Sequence, residues 1–201
     1  MTDSGPIVGV LAVQGDFAEH EAALRAQGLA TRQVRRPADL EGVAGLVLPG
    51  GESTTMLKLL ELQGLTQPLR ELFAGDVPVL ATCAGLILLA RRVVDPEQPS
   101  FGVLDVEVSR NGYGRQIHSG TIPLTGDDLP PGASGVFIRA PRVLAVGEGI
   151  EVLARRDEDA VLLRRDNILA ACFHPELDPD HFVTKMFTAQ VRAATAEYSP
   201  R

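Results

Sequence analysis

Residues 77–94, VPVLATCAGLILLARRVV, decide how this chain is read. The stretch opens as a buried strand, a short apolar run entered through Val77-Pro78-Val79 and ending near Thr82. Cys83, Ala84 and Gly85 follow, then an apolar run of helical character that closes on Arg91 and Arg92. A strand that turns sharply into a helix with a nucleophile at the corner is the elbow of α/β hydrolytic enzymes. Such a corner lifts the thiol above the sheet edge and aims the next helix's N-terminus at it. Amides and the helix dipole there favour a thiolate and, later, an oxyanion. A free cysteine is more often a small buried hydrophobe, so the elbow needs a base elsewhere before it means chemistry.

Upstream, residues 7–13 form a near-continuous apolar run, as expected of a parallel strand covered on both faces. Gln14-Gly15-Asp16 breaks it, and residues 17–27 read as a helix ended by Gly28. A second strand follows at 30–34, then Arg35-Arg36-Pro37 and a short helix around 38–41. A third strand at 46–48 stops at Pro49-Gly50-Gly51. Residues 52–55 open a helix to about 62, with Ser53 or Thr54 as N-cap, and 65–73 give another helical segment. This alternation predicts a parallel, doubly wound sheet whose ligands sit beyond the carboxyl ends of its strands. Three of those ends carry unusual residues: Gln14-Gly15, residues 49–53, and residues 83–85.

Downstream the texture changes. Residues 95–99 are a loop, 103–108 alternate polar and apolar, and glycines at Gly112, Gly114, Gly120 and Gly126 punctuate the next segment. Antiparallel strands and hairpins are expected at 136–139, 143–146, 151–154, 160–163 and 168–173, then an amphipathic helix over 180–197. No repeat or linker interrupts the chain, so residues 1–201 are expected to form one domain.

Composition narrows the function. The net charge of −7 and the absence of Trp argue against nucleic acid, which calls for a basic face and stacking aromatics. The pairs Arg35-Arg36, Arg91-Arg92 and Arg155-Arg156 read as solvated element ends rather than a basic patch. No stretch is apolar for long enough to span a bilayer, and no signal peptide is evident. Two cysteines with no other sign of an oxidising compartment suggest free thiols in the cytoplasm.

The strand at 168–173 delivers His174-Pro175-Glu176. In an extended chain residues two apart share a side, so imidazole and carboxylate are expected to pair. A carboxylate on one ring nitrogen fixes the tautomer and leaves the other nitrogen to take a proton. Cys83, His174 and Glu176 thus supply nucleophile, base and orienter. Alone, a His-Pro-Glu would be read as a strand-end histidine satisfied by its neighbour; the elbow cysteine tips the balance. His20, His118 and His181 lack such company and are expected at the surface or in structural roles. The Gly50-Gly51 turn, between a strand and a helix, could offer amides to an anion or be a flexible turn with an N-cap. With the Ala84 N–H it would complete an oxyanion site from Gly50, Gly51 and Ala84.

These residues meet a family. A strand-turn cysteine with a later His-Pro-Glu resembles the class I, triad-type glutamine amidotransferases. The segments VLAVQGDFAEH, GLVLPGGESTTM, TCAGLILLA, RNGYGRQ, GVFIRAP and CFHPEL resemble the glutaminase subunits of pyridoxal 5′-phosphate synthase, in order and at compatible spacing. The resemblance implies a three-layer α/β sandwich with a central mixed, mostly parallel sheet and a nucleophile elbow. It implies hydrolysis of L-glutamine to L-glutamate and ammonia through a Cys83 thioester. The ammonia would pass to a (β/α)₈-barrel synthase subunit, in a large heteromeric complex, that combines a pentose and a triose phosphate. Pyridoxal 5′-phosphate is then a product; neither cofactor nor metal is expected. By motif, Gly51, Glu52, Ser53, Arg110, Ile138 and Arg139 would line the glutamine site, although Arg110 and Arg139 alone would be read as surface ion pairs. Gln14 and Gly15 would face the synthase. One departure is Ala81, where the class commonly has glycine two residues before the nucleophile; a slightly crowded elbow is expected. Cys172 is expected to be core filler. Alternatives are a glutaminase serving another acceptor, such as the histidine-pathway cyclase, and a non-catalytic or redox-sensing module.

Overall fold

The computed structural model describes residues 5–112 and 120–197. The motif residues Tyr113 to Gln116 and the histidine at 118 lie outside that range. The chain runs β1 (Ile7–Leu11), α1 (Phe17–Ala26), β2 (Ala30–Val34), a 3₁₀ turn (Pro37–Leu40), β3 (Gly45–Leu48), α2 (Ser53–Leu62), α3 (Thr66–Phe73) and β4 (Val79–Thr82). It continues through α4 (Ala84–Leu89), β5 (Ala90–Val94), β6 (Leu104–Ser109), β7 (Gly120–Pro123), β8 (Ser134–Phe137) and β9 (Arg142–Val146). Last come β10 (Glu151–Arg156), β11 (Asp159–Arg165), β12 (Ile168–Ala171), a 3₁₀ turn (Pro175–Leu177) and α5 (Phe182–Glu197).

Seven strands form the main sheet in the order β10-β11-β12-β4-β3-β1-β2. From β12 to β2 every neighbouring pair is parallel, while β10, β11 and β12 pair antiparallel. Strands β3, β4 and β12 are buried along their whole length, which is why they read as unbroken apolar runs. The chain steps from β1 to β2 in one direction and from β3 to β4 in the other. Right-handed crossovers therefore put α1 and α2 on opposite faces. Helix α1 meets α5 on one face and α2 meets α4 on the other, giving three layers. Buried side chains from both halves, including Val8, Leu48, Phe137, Phe173 and Phe187, join one apolar cluster.

This strand order gathers the chemistry-bearing residues. Strands β12, β4, β3 and β1 are consecutive and parallel, so their carboxyl ends share an edge. Those ends lead into His174, Cys83, Gly50 and Gln14 respectively.

Three expectations need correction. The helix after the elbow ends at Leu89, and Ala90–Val94 is β5, parallel to β6. Val93 and Val94 favour extended backbone, and Arg91 and Arg92 find Asp105 and Glu107 on β6, each at 2.9 Å. The later half is not wholly antiparallel either, because β12 returns to the main sheet beside β4. Finally, α5 begins at Phe182 rather than at residue 180, after His181 Nδ1 accepts the Val183 N–H at 3.2 Å. The Gly28 stop holds: with φ of 77° it closes α1, its N–H donating to Arg25 C=O and the Leu29 N–H to Leu24 C=O.

Candidate active site

Cys83 occupies the corner between β4 and α4 with φ of 48°, a conformation that non-glycine residues seldom adopt. What holds it there is packing on both sides of the residue. Its N–H donates to Ala171 C=O on β12 at 2.8 Å. At Gly85 a side chain would meet the Leu48 carbonyl oxygen at 2.2 Å, so only glycine lets α4 come this close to β3. Ala81 is fully buried in β4, two residues before the corner.

His174 follows β12 and is anchored by its own N–H donating to Val136 C=O at 2.9 Å. Its Nδ1 lies 2.7 Å from Glu176 Oε1. The pairing is as expected but its geometry is not that of alternating strand residues. His174 caps the 3₁₀ turn Pro175–Leu177, and Pro175 takes the first turn position, where no N–H is needed. The turn brings the Glu176 carboxylate to Nδ1. With Nδ1–H committed to the carboxylate, Nε2 is the nitrogen left for the thiol. Burial opposes the charged imidazole, but the Cys83 sulfur and Glu176 outweigh it and push the His174 pKa up to about 10. Glu176, although buried, is held below the usual carboxylate range by His20 and His174.

A cavity of about 440 Å³ opens above Cys83 and His174. Gln14, Gly15, Gly51, Glu52, Ser53, Arg110, Ile138 and Arg139 line it, so those expected residues do converge. Gly50 and Ala84 lie just behind the lining: a side chain on Gly50 would meet His174 Cε1 at 2.6 Å, and Ala84 is fully buried. Asp16, Ile87 and Asn111 also line the cavity; each lies inside a family-like segment without being expected at the site. Asp16 Oδ2 stands 3.5 Å from His174 Nδ1.

The loops after β1 and β3 interlock. Asp16 N–H donates to Gly50 C=O at 3.2 Å, and Glu52 N–H donates to Gln14 Oε1 at 2.8 Å. A side chain at Gly15 would fall 1.8 Å from the Gly50 oxygen. The N-cap of α2 is Glu52, not Ser53 or Thr54. Its carboxylate accepts from Thr54 N–H at 3.2 Å and Thr55 N–H at 2.6 Å. The Ser53 hydroxyl instead donates to Gln98 Oε1 at 2.9 Å. Glu52 also pairs with Arg110 at 2.7 Å. Its slight burial works against the charge, but the bonds from Thr55 and Thr54 bring its pKa down to about 2. Arg139, at φ of 44°, stands on the rim with no ion pair among the described residues.

His20 corrects another expectation. It is buried at 2% exposure, with Nε2 3.0 Å from Thr82 Oγ1 and 3.3 Å from Glu176 Oε2. Its partners lie 62 and 156 residues away, too far for any local pattern to show. His181 is buried and structural, its Nε2 donating to Ser134 C=O at 2.8 Å. Cys172 is fully buried, its thiol pKa raised by burial, as core filler should be. Both cysteines are free. No described helix is long and apolar enough to cross a membrane.

Comparisons with known proteins agree with one another. Residues 10–193 match the model of the SNO glutamine amidotransferase family. The pyridoxal 5′-phosphate synthase subunit PdxT of Corynebacterium jeikeium (strain K411) is 47% identical over 194 residues, 95% of this chain and all of that protein. The PdxT of Parafrankia sp. (strain EAN1pec) is 49% identical over 193 residues, 94% of this chain and 95% of its own. A solved structure described as a glutamine amidotransferase superposes with a TM-score of 0.85 at 45% identity, covering 92% of this chain and 98% of the other.

Proposed function

Since the chain belongs to the SNO glutamine amidotransferase family, we propose that it hydrolyses L-glutamine to L-glutamate and ammonia and supplies the ammonia to a pyridoxal 5′-phosphate synthase. The observation that carries the reading is the His174–Glu176 contact of 2.7 Å beside a cysteine held at positive φ, under a cavity of about 440 Å³.

Glutamine enters with its charged end toward Glu52, Arg110 and Arg139. A carboxylate and guanidinium groups suit an α-ammonium and an α-carboxylate. The amide reaches Cys83. His174, held as an imidazolium up to about pH 10, stands beside the Cys83 sulfur, which attacks the amide carbon. The oxyanion that forms meets the Ala84 N–H. The Gly51 N–H is the second donor: Gly50 C=O points to Asp16 on the β1 side, and in a trans peptide the following N–H points the opposite way. Since β3 lies between β1 and β4, that direction is toward the Cys83 strand. His174 protonates the departing nitrogen, leaving a glutamyl thioester and ammonia. It then takes a proton from water, whose oxygen attacks the thioester and releases glutamate. Glu176 keeps Nδ1 protonated throughout.

The partner is a barrel-shaped synthase subunit, assembled with this chain in a large cytoplasmic complex. Gln14 and Gly15, whose loop is clasped to the Gly50 turn, face it and transmit docking to the oxyanion amides. Residues 1–201 act as one glutaminase unit. Glutamate release should be measured with and without the purified synthase, using Cys83→Ala as the blank. Stimulation by the synthase that vanishes in Cys83→Ala is expected; release that persists in Cys83→Ala would overturn the assignment.

A further inference from the structure

The Glu176 side chain is wholly buried between two imidazoles. Oε1 meets His174 Nδ1 at 2.7 Å. The other oxygen, Oε2, faces His20 Nε2 at 3.3 Å and makes no hydrogen bond of ordinary geometry among the described residues. A buried carboxylate oxygen without a donor is destabilising, and the group escapes by rotating or by taking a proton. Either would loosen its hold on His174. His20 comes from α1, which packs against the turn carrying Glu176. The same nitrogen reaches the hydroxyl of Thr82, the residue before Cys83, at 3.0 Å. One ring therefore ties the nucleophile's strand to the orienting carboxylate.

We propose that His20 is a positioning residue for the glutaminase chemistry: it fixes Glu176 from the side away from His174, keeping the carboxylate ionised and aimed at Nδ1. The inference rests on the proposed function. The charged and titratable groups around the ring are Glu176 and His174 from the end of β12, and Asp16 and Glu19 from its own segment. Burial outweighs the carboxylates and keeps the His20 pKa below the ordinary histidine value. The ring is thus neutral, and with its proton on Nε2 it presents one donor shared between Thr82 Oγ1 and Glu176 Oε2, not a second cation competing with His174 for Glu176.

The test compares His20→Phe, which keeps a ring without a donor, with His20→Gln, whose amide nitrogen sits near the place of Nε2. Two readouts are used: steady-state glutaminase kinetics with the synthase present, and the pH dependence of Cys83 alkylation by iodoacetamide. For His20→Phe we expect kcat to fall roughly ten- to hundredfold with KM within about twofold. The alkylation midpoint should rise by about one pH unit, because a less stable imidazolium leaves the thiol protonated longer. His20→Gln should recover most of both. A folded His20→Phe with wild-type kcat and midpoint, or equal losses in both variants, would overturn the proposal. Should His20→Phe fail to fold, His20→Asn replaces it, since its shorter amide does not reach Oε2; equal kcat for Gln and Asn would then count against the role. If the wild type released no glutamate, the proposed function would fail, while the alkylation comparison would still decide the role of His20.

Discussion

Cys83 and His174 stand on strand ends whose amides are tied to neighbouring backbone, Ala171 and Val136 respectively, and both residues are buried. Glu52 from the cap of α2, Arg110 from just past β6, and Ile138 and Arg139 from just past β8 form the facing wall, with the Glu52 side chain 49% exposed, Ile138 37% and Arg110 17%. The first wall is fixed by the main sheet; in the second the Arg110 N–H donates to Val94 C=O of the smaller sheet at 3.1 Å, and the Glu52–Arg110 pair joins the side chains. Proton transfer and attack on an amide need atoms placed to within fractions of an ångström, which four parallel strand ends provide. Holding the charged end of a small substrate needs reach and adaptability, which exposed loops provide. Reactivity and recognition are thus separable here, and substitutions on the two walls should fail in different ways.

The largest failures belong to the sheet wall. Cys83→Ala should lower glutamate release at least about 10⁴-fold, to background. Glu176→Gln should lower kcat by about 10²- to 10⁴-fold while leaving KM nearly unchanged, because it disturbs the tautomer and not the binding. Comparable KM effects from Glu176→Gln would show that the two walls are not independent. The same wall predicts an alkaline limit. The His174 pKa is raised to about 10 from an ordinary 6.5. Its charged form therefore contributes stability that is full below about 6.5, declines above it and is gone once pH passes about 10. Thermal melting followed from pH 6 to 10.5 should show this decline, steeper in the wild type than in His174→Asn; matching slopes would mean that the imidazole is not charged in the fold.

Failures on the other wall should be milder. Arg110→Ala removes a charge-assisted contact and leaves Glu52 without its partner. Losing such a bond costs about 1.5–3 kcal/mol, so KM for glutamine should rise roughly ten- to hundredfold with kcat within about threefold. A variant that instead lost kcat and kept KM would place Arg110 with the chemistry and erase the distinction.

The two walls also differ in how far the sequence disclosed them. Strands buried on both faces leave unbroken apolar runs, so β1, β3 and β4 and the residues at their ends were legible. The His-Pro-Glu pairing was legible as well, though through a 3₁₀ turn and not through strand alternation. β5 was not, because the apolar run of α4 flows into it and its arginines are satisfied only by carboxylates on β6. Nor was the capping of α2 by Glu52, since Ser53 and Thr54 beside it are the commoner caps and the choice depends on where Gln98 and Arg110 stand. His20 was the furthest from reach: nothing near residue 20 marks a ring whose partners, Thr82 and Glu176, arrive only through the fold.

The smallest expected effect concerns the second cysteine, which sits one strand away from the first. Cys172 N–H donates to Val161 C=O, its sulfur lies 3.9 Å from Ala160 C=O, and the residue is fully buried. Burial raises its thiol pKa, whereas Cys83 stands at the floor of an open cavity beside His174. A thiolate needs a nearby cation or a polar surround, and only the corner residue has one. Iodoacetamide should therefore modify Cys83 and spare Cys172 in the folded chain, with mass mapping of the labelled peptides as the readout. Cys172→Ala should cost about 1 kcal/mol of stability through the small void it leaves and change glutamate release by less than about twofold. Labelling of Cys172 at a rate near that of Cys83 would mean that β12 opens at its carboxyl end. The strand that carries His174 would then be as adaptable as the loops opposite, and the division between a fixed wall and a yielding one would not hold.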